Sequence, residues 1–252
     1  MSESEPIVVS FRDVHKRFGD KIVLDGVNLE VRRNEMLVVL GGSGTGKSVL
    51  LKHISGLVRP DSGGVVVLGW GVSHRDEEEL VELRRKVSYI FQQGALFDSL
   101  SVGENIAFPL REHATLSEDE ITARVAELLT RVGLAGIENL EPSALSGGMR
   151  KRVALARGLA LEPEVILYDE PTAGLDPLTG LAITHLIKEI DTTTTATSLV
   201  VTHDLAAAKE FGGRAAFLHE GKFAFMGTLD EAATLDGLVG NFVRAGGVHA
   251  RD

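Results

Sequence analysis

"MLVVLGGSGTGKSVLLKHISGL", residues 36–57, is the stretch on which the reading of the fold turns. Met36 to Leu40 is an unbroken apolar run that stops at a glycine, the pattern of a parallel strand buried on both faces. VLLKHISGL, from Val49, reads as a helix that ends near Gly56, a residue suited to the left-handed position closing a helix. Between them, Gly41 to Ser48 fits G-x-x-x-x-G-K-[ST]. Glycines let successive backbone N–H groups wrap a phosphate, and the start of a helix adds positive potential. Gly41, Gly42, Ser43, Gly44, Thr45, Gly46 and Val49 are then the cradle, Lys47 reaches the β and γ phosphates, and the Ser48 hydroxyl binds Mg²⁺. Without its context the segment is a glycine-rich turn. The strand before it and the helix after it favour phosphate binding.

Composition bounds the rest. The 252 residues suffice for one large domain or two small ones, and 44% apolar with 25% charged residues is ordinary for a soluble globular protein. A formal net charge of -10 argues against nonspecific nucleic-acid binding, which needs a positive field. The absence of cysteine excludes disulfides, thiolate metal sites and cysteine nucleophiles. "MSESEPIVVS" lacks the basic start and long apolar run of a secretory signal. No stretch approaches the roughly 20 apolar residues of a membrane helix. Work at a membrane is therefore expected to go through a partner.

Strand-like alternation marks residues 7–14 and 22–31, with Val27, Leu29 and Val31 on one face. "RPDSGGVVVLGW" supplies a turn and another strand, and "RDEEELVELRRKV" is acidic first and basic last, as suits a helix dipole. Ser117 and Glu120 form a capping-box pattern ahead of Ile121, Val125, Leu128, Leu129 and Val132 at helical spacing. "SGGMRKRVALARGLAL" reads as a further helix entered through two glycines. Val165 to Tyr168 and "SLVVT" read as buried strands, and "AAFLHEGKFAFMGT" as a hairpin around Glu220 and Gly221. The threonines at 192–195 read as a polar loop. Strands alternating with helices predict a parallel α/β sheet covered on both faces. Residues of about 93–160 interrupt that alternation and are expected to form a helical subdomain inserted in a single domain over 1–252.

Ligands of open α/β sheets bind at the carboxyl ends of strands. Asp169 is there to hold Mg²⁺ through water, and Glu170 to activate an attacking water as general base. Alone, such a pair is also a common solvated strand end. His203 follows a second buried strand and is placed to reach the γ-phosphate, although a lone histidine there is often structural. "LSGGM", Leu145 to Met149, starts a helix, so the amides of Ser146, Gly147 and Gly148 form another anion site; the plain alternative is a helix N-cap. One nucleotide does not need two such sites far apart in the chain. Two chains arranged head to tail do, each offering its phosphate loop to the other's LSGGM.

The ordered set resembles the nucleotide-binding subunit of ATP-binding cassette (ABC) transporters over nearly the whole chain. Walker A matches Gly41 to Ser48, Walker B matches Val165 to Asp169, and the catalytic glutamate matches Glu170. The signature matches Leu145 to Met149, with Met149 where most members carry glutamine. Ala173 to Asp176 resembles the D-loop, with Asp176 at its end, and His203 resembles the switch histidine. Phe18 sits where the family stacks an aromatic on adenine; a core phenylalanine is the other reading. "FQQ" resembles the Q-loop, with Gln92 at the position that touches Mg²⁺ or the attacking water. The resemblance implies a P-loop α/β fold with an antiparallel β subdomain and an inserted helical subdomain, with ATP and Mg²⁺ as cofactors. "GALFDSL", residues 94–100, would line the groove that receives a permease coupling helix, with Leu96 and Phe97 either in contact with it or in the subdomain core.

Residues 91–113 and 145–177 are further similar to the MlaF-like ATPases of MCE-type lipid transporters. That likeness implies phospholipid as cargo moved between inner and outer membranes, an MlaE-like permease, an MCE-domain protein in the same complex and room for a small STAS-domain subunit. It implies a cytoplasmic protein peripheral to the inner membrane and no nucleic acid as partner. Two other readings fit the cassette: an ATPase for importing amino acids or other small solutes, and a soluble ABC-type assembly or repair clamp.

Overall fold

The computed structural model describes residues 5–246; the first four residues of the acidic N-terminal stretch, and 247–252, lie outside them. Two sheets share the work. Strands β1 (Ile7–Phe18) and β2 (Lys21–Arg32) form an antiparallel ribbon. β3 (Met36–Leu40) leaves that ribbon for a different sheet and runs through the phosphate loop into α1 (Lys47–Ile54). β4 (Ser62–Val67) and the short β5 (Trp70–Gly71) return to the first sheet, giving the order β2-β1-β4-β5. α2 (Glu77–Lys86) then leads to β6 (Val87–Ile90). Three helices follow: α3 (Val102–His113), α4 (Glu118–Arg131) and α5 (Gly147–Leu159). The chain re-enters the second sheet at β7 (Val165–Asp169), crosses through α6 (Pro177–Thr193) to β8 (Thr197–Thr202), and passes α7 (Leu205–Phe211) to the hairpin β9 (Arg214–His219) and β10 (Lys222–Gly227). α8 (Leu229–Thr234) and α9 (Leu238–Arg244) close the described chain.

The second sheet has the order β10-β9-β3-β8-β7-β6, parallel except for the β9–β10 hairpin. β3 is central, which explains its unbroken apolar run. Leu37 and Val39 point into a core shared with α1 and the antiparallel sheet. Met36, Val38 and Leu40 point into the core formed with the helices on the other face. A strand buried on both faces has no polar side to show in sequence.

The element starts follow local chemistry. Ser117 and Glu120 close the capping box of α4, and Ser101 with Glu104 and Asp76 with Glu79 do the same for α3 and α2. One expectation needs correction. Thr192 and Thr193 are not loop: they form the last turn of α6, with hydroxyls donating back to the Glu189 carbonyl at 2.9 and 2.7 Å. Back-bonding of this kind lets threonine cap a helix end that its propensity alone disfavours.

One buried polar group gives this core a pH dependence. His53, fully buried on α1, has Nδ1 2.7 Å from the Val49 carbonyl. A carbonyl only accepts, so Nδ1 carries the proton and the unpartnered Nε2 is the bare nitrogen. Burial holds its pKa below the ordinary histidine value, against the pull of the Val49 carbonyl. The unfolded chain therefore binds this proton at a higher pH than the folded one, and stability is lost as pH falls below about 6.5. Urea unfolding of His53→Leu should show a shallower acid limb than the parent, by up to about 1.4 kcal/mol per pH unit. Equal acid slopes would refute the assignment.

Candidate functional site

β3 ends at Leu40, and the chain turns through Gly41 to Gly46, which lies at φ +104 as the N-cap of α1. A Cβ on Gly46 would come within 2.9 Å of the Val23 carbonyl, so the loop presses its backbone against β2 where no side chain fits. Lys47, 5% exposed, folds over the loop and donates to the carbonyls of Gly41 and Gly42 at 2.9 Å. The Thr45 hydroxyl donates to the Gly42 carbonyl at 3.0 Å. Burial lowers the Lys47 pKa, while the Glu170 and Asp169 carboxylates raise it. The Glu170 Oε1 lies 3.5 Å from Lys47 Nζ.

The carboxylates come from the end of β7, beside β3's neighbour β8. Asp169 is held at both oxygens: Oδ1 accepts from the Ser48 hydroxyl and Oδ2 from the Tyr89 hydroxyl, each at 2.7 Å. Burial and the adjacent Asp169 push the Tyr89 pKa far up, so its hydroxyl stays a donor. Glu170 is non-glycine at φ +48, pinned by its N–H to the Val201 carbonyl at 2.9 Å. Its Oε2 is 2.9 Å from His203 Nδ1. The two carboxylates thus face different partners, Asp169 the phosphate-loop serine and Glu170 the lysine and the histidine.

A cavity of about 420 Å³ joins these groups, lined by Phe18, Ser43, Gly44, Gly46, Lys47, Ser48, Val49, Gln92, Glu170 and His203, with Lys21 and Val23. Phe18 is 51% exposed on its rim, under the Lys16 ammonium at 5.3 Å from the ring centroid. It is not a core phenylalanine. Gly41, Gly42, Thr45 and Asp169 do not line the cavity: the two glycine carbonyls hold Lys47, the Thr45 hydroxyl bonds the Gly42 carbonyl, and Asp169 accepts from Ser48. For a divalent cation the donors are hard oxygens, a hydroxyl and a carboxylate. No cluster of three or more His, Cys, Asp or Glu ligands occurs among the described residues. That set fits Mg²⁺, which takes few protein ligands and completes its shell with phosphate and water, and does not fit a soft metal.

The LSGGM segment lies elsewhere. Ser146 caps α5, its hydroxyl accepting from the Met149 N–H at 3.2 Å. Gly148 abuts α6: a Cβ there would stand 2.6 Å from the Thr179 methyl. Asp176 caps α6 through the amides of Leu178 and Thr179 at 3.1 and 3.0 Å. None of Ser146, Gly147, Gly148, Met149 or Asp176 lines the Lys47 cavity.

The loop after Gln92 splits the pair Leu96 and Phe97. Leu96 packs on the helical core, whereas Phe97 is 44% exposed. Phe97 packs against Phe108 with ring centroids 5.1 Å apart and the ring planes tilted by 56°. Buried Asn105 clamps this loop, accepting from the Phe97 N–H and donating to the carbonyls of Phe97, Leu100 and Ser101. Arg157 donates to the carbonyls of Gly94 and Ala95 and lies over the Phe97 ring. Phe97, Phe108, Pro109 and Arg157 line a groove of about 450 Å³.

Sequence reasoning missed three residues here: Lys21, Tyr89 and Lys151. Tyr89 reads as one more residue of a buried strand, and Lys151 as a solvated charge on a basic helix. Only the cross-strand and helix-to-loop distances reveal their partners.

The ABC transporter family profile matches residues 24–173. The chain belongs to this family. It is an ATP-binding cassette that binds and hydrolyses ATP, folded as an ABC-type P-loop domain. Among curated relatives, the chloroplastic protein trigalactosyldiacylglycerol 3 of Arabidopsis thaliana is 43% identical over 93% of this chain and 72% of its own length. The probable ribonucleotide transport ATP-binding protein mkl of Mycobacterium tuberculosis is 43% identical over 82% of the chain, which spans 58% of that relative. The intermembrane phospholipid transport system ATP-binding protein MlaF of Escherichia coli is 37% identical over 90% of the chain and 85% of its own length. A solved ATP-binding cassette, dimeric in a post-hydrolysis state with ADP and Pi, superposes with TM-score 0.80 at 34% identity, covering 91% of this chain and all of that one. The family's cassettes form dimers, and no helix among the described residues is long and apolar enough to cross a membrane.

Proposed function

We propose that the cassette powers phospholipid transport between two membranes through an MlaE-like permease, in a complex with an MCE-domain protein and, as a further subunit, a STAS-domain protein. The observation that carries this reading is the match to MlaF over most of both chains. The mycobacterial relative is named for ribonucleotide transport, and that is the competing reading. In the proposed arrangement the cassette lies on the cytoplasmic face of the inner membrane.

The chemistry proposed for the cavity uses the chain's own groups. Phe18 stacks on adenine from the rim. Lys47 releases the Gly41 and Gly42 carbonyls for the β and γ phosphates, where its cationic form gains more than it does from neutral carbonyls. Glu170 takes the proton of the attacking water at a carboxylate oxygen. His203 orients that carboxylate through Nδ1 and reaches the γ-phosphate, and Gln92 aligns the water. Ser48, Asp169 and Gln92 would hold Mg²⁺, which would supply neutralisation of the phosphate charge. Ser146 and the amides of Gly147, Gly148 and Met149 meet the partner chain's nucleotide from the far side, with Asp176 beside them.

Force reaches the permease through the groove beside Phe97, because rotation about the Gln92 loop moves the helices against the nucleotide site. Phe97→Glu should leave the melting temperature and ATP affinity of the isolated cassette unchanged and weaken the permease complex about thirtyfold, the equivalent of about 2 kcal/mol at a hot spot. Co-purification with the permease, with the bound lipids identified by mass spectrometry, reads both claims. A complex that survives the substitution places the docking surface elsewhere. A complex that purifies without phospholipid enriched over the surrounding membrane overturns the cargo, the nucleotide held by the cassette itself not counting.

A further inference from the structure

Lys151 is a buried cation outside the chemistry described so far. It lies on α5 and is 8% exposed. Its neighbours Arg150 and Arg152 bond the carbonyls of Leu145 and Val132, within the helical layer. Lys151 instead crosses to the second sheet. Its ammonium donates to the main-chain carbonyls of Gln92, past the end of β6, and Glu170, past the end of β7, the latter at 3.3 Å. No carboxylate among the described residues pairs with it directly at salt-bridge distance. A buried ammonium is costly to keep unless its donors are satisfied, so both carbonyls matter to it.

Glu170 has reason to need the contact. Left-handed backbone at a non-glycine residue persists only where the surroundings hold it. Val201 takes its N–H, His203 and Lys47 take its carboxylate, and Lys151 takes its carbonyl. The same ammonium fixes the peptide of Gln92. Lys151 also shares one rigid helix with Ser146, five residues earlier, at about 1.5 Å of rise per residue. A shift of the helix start therefore moves the ammonium.

We propose that Lys151 is a positioning residue that couples the two nucleotide sites of the dimer. It ties the helix whose start meets the partner's nucleotide to Gln92 and Glu170, which serve the chain's own nucleotide. This rests on the head-to-tail arrangement given under Proposed function.

Mixed dimers with one live site test it, the other site being silenced by Glu170→Gln. In one mixture Lys151→Met is on the chain that supplies the live Glu170; in the other it is on the silenced chain, which supplies Ser146 to the live site. Turnover at the live site should fall about tenfold or more in both, as for a catalytic group displaced by a fraction of an ångström. ATP affinity and melting temperature should stay at the values of the mixed dimer with Glu170→Gln alone, and Lys151→Arg should restore much of the rate in both placements. A loss confined to the first placement would overturn the coupling, leaving Lys151 a support for its own glutamate, and no loss in either would remove the role altogether. If Lys151→Met lowers the melting temperature, Lys151→Gln, which keeps a donor, takes its place in the same two mixtures. Ser146→Arg on the silenced chain is the control: if the live site survives it, the head-to-tail reading fails, whatever Lys151 does.

Discussion

Glu170→Gln should bind ATP at least as well as the parent and hydrolyse it about 10²- to 10⁴-fold more slowly, the range over which a positioned base acts. The substitution is close to isosteric. Glutamine retains the Glu170 backbone contacts to Val201 and Lys151, and its amide oxygen still accepts from His203 Nδ1. What disappears is the charge. Lys47 then loses the carboxylate 3.5 Å from its ammonium while remaining 5% exposed, which leaves the cation under-compensated until a phosphate arrives. Nucleotide binding is therefore favoured as turnover is lost, and the closed ATP-bound dimer accumulates. Lys47→Ala acts in the opposite sense, losing affinity and turnover together. Equilibrium binding of labelled ATP beside steady-state phosphate release separates the two patterns. Near-normal turnover in Glu170→Gln would remove Glu170 as the base.

The phosphate loop, the strand-end carboxylates and the capping boxes were legible because each is local. A spacing of a few residues fixes the geometry, and the structure returns it with the partners expected of it, as at Ser117 with Glu120 and at Gly56, whose φ is +69. The antiparallel sheet was harder. β1 and β2 show their alternation, but nothing in the sequence states that β4 returns to pair with β1 after β3 and α1 have left for the other sheet. The resemblance to the family carried that expectation; periodicity did not. α6 escaped for a different reason. Asp176 and Pro177 are a strong helix start, and Ile183, Leu186, Ile187 and Ile190 keep helical spacing, yet Asp176 also ends the AGLD motif and the threonines obscure the helix end. Tyr89 and Lys151 were out of reach. Tyr89 meets Asp169 across neighbouring parallel strands, and Lys151 meets Gln92 and Glu170 across two layers.

Dimers mixed from Lys47→Ala chains and Ser146→Arg chains should recover hydrolysis that neither homodimer shows. In one folded chain Lys47 sits in a cavity that none of the LSGGM residues line. The Ser146 cap and the amides after it stand at the start of α5, where Gly148 abuts Thr179 of α6. If these amides are an anion site, as proposed, the nucleotide beside Lys47 of the same chain is not the one they hold. Set head to tail, two chains give each nucleotide one Lys47 and the other chain's Ser146. A dimer of the two variants then has one nucleotide site with both defects and one with neither, and the intact site carries about half of the parent activity if the sites act independently. Ser146→Arg also places a bulky cation where the amide cradle must approach the phosphate, so its homodimer should bind ATP through Lys47 yet fail to close. The measurement is phosphate release from purified mixed dimers, each chain carrying its own affinity tag, against a mixed-tag parent. Activity regained fixes the composite site. No activity, with a cysteine pair at Ser43 and Ser146 that crosslinks between chains, makes the sites strictly coupled; no activity and no crosslink rejects the head-to-tail geometry.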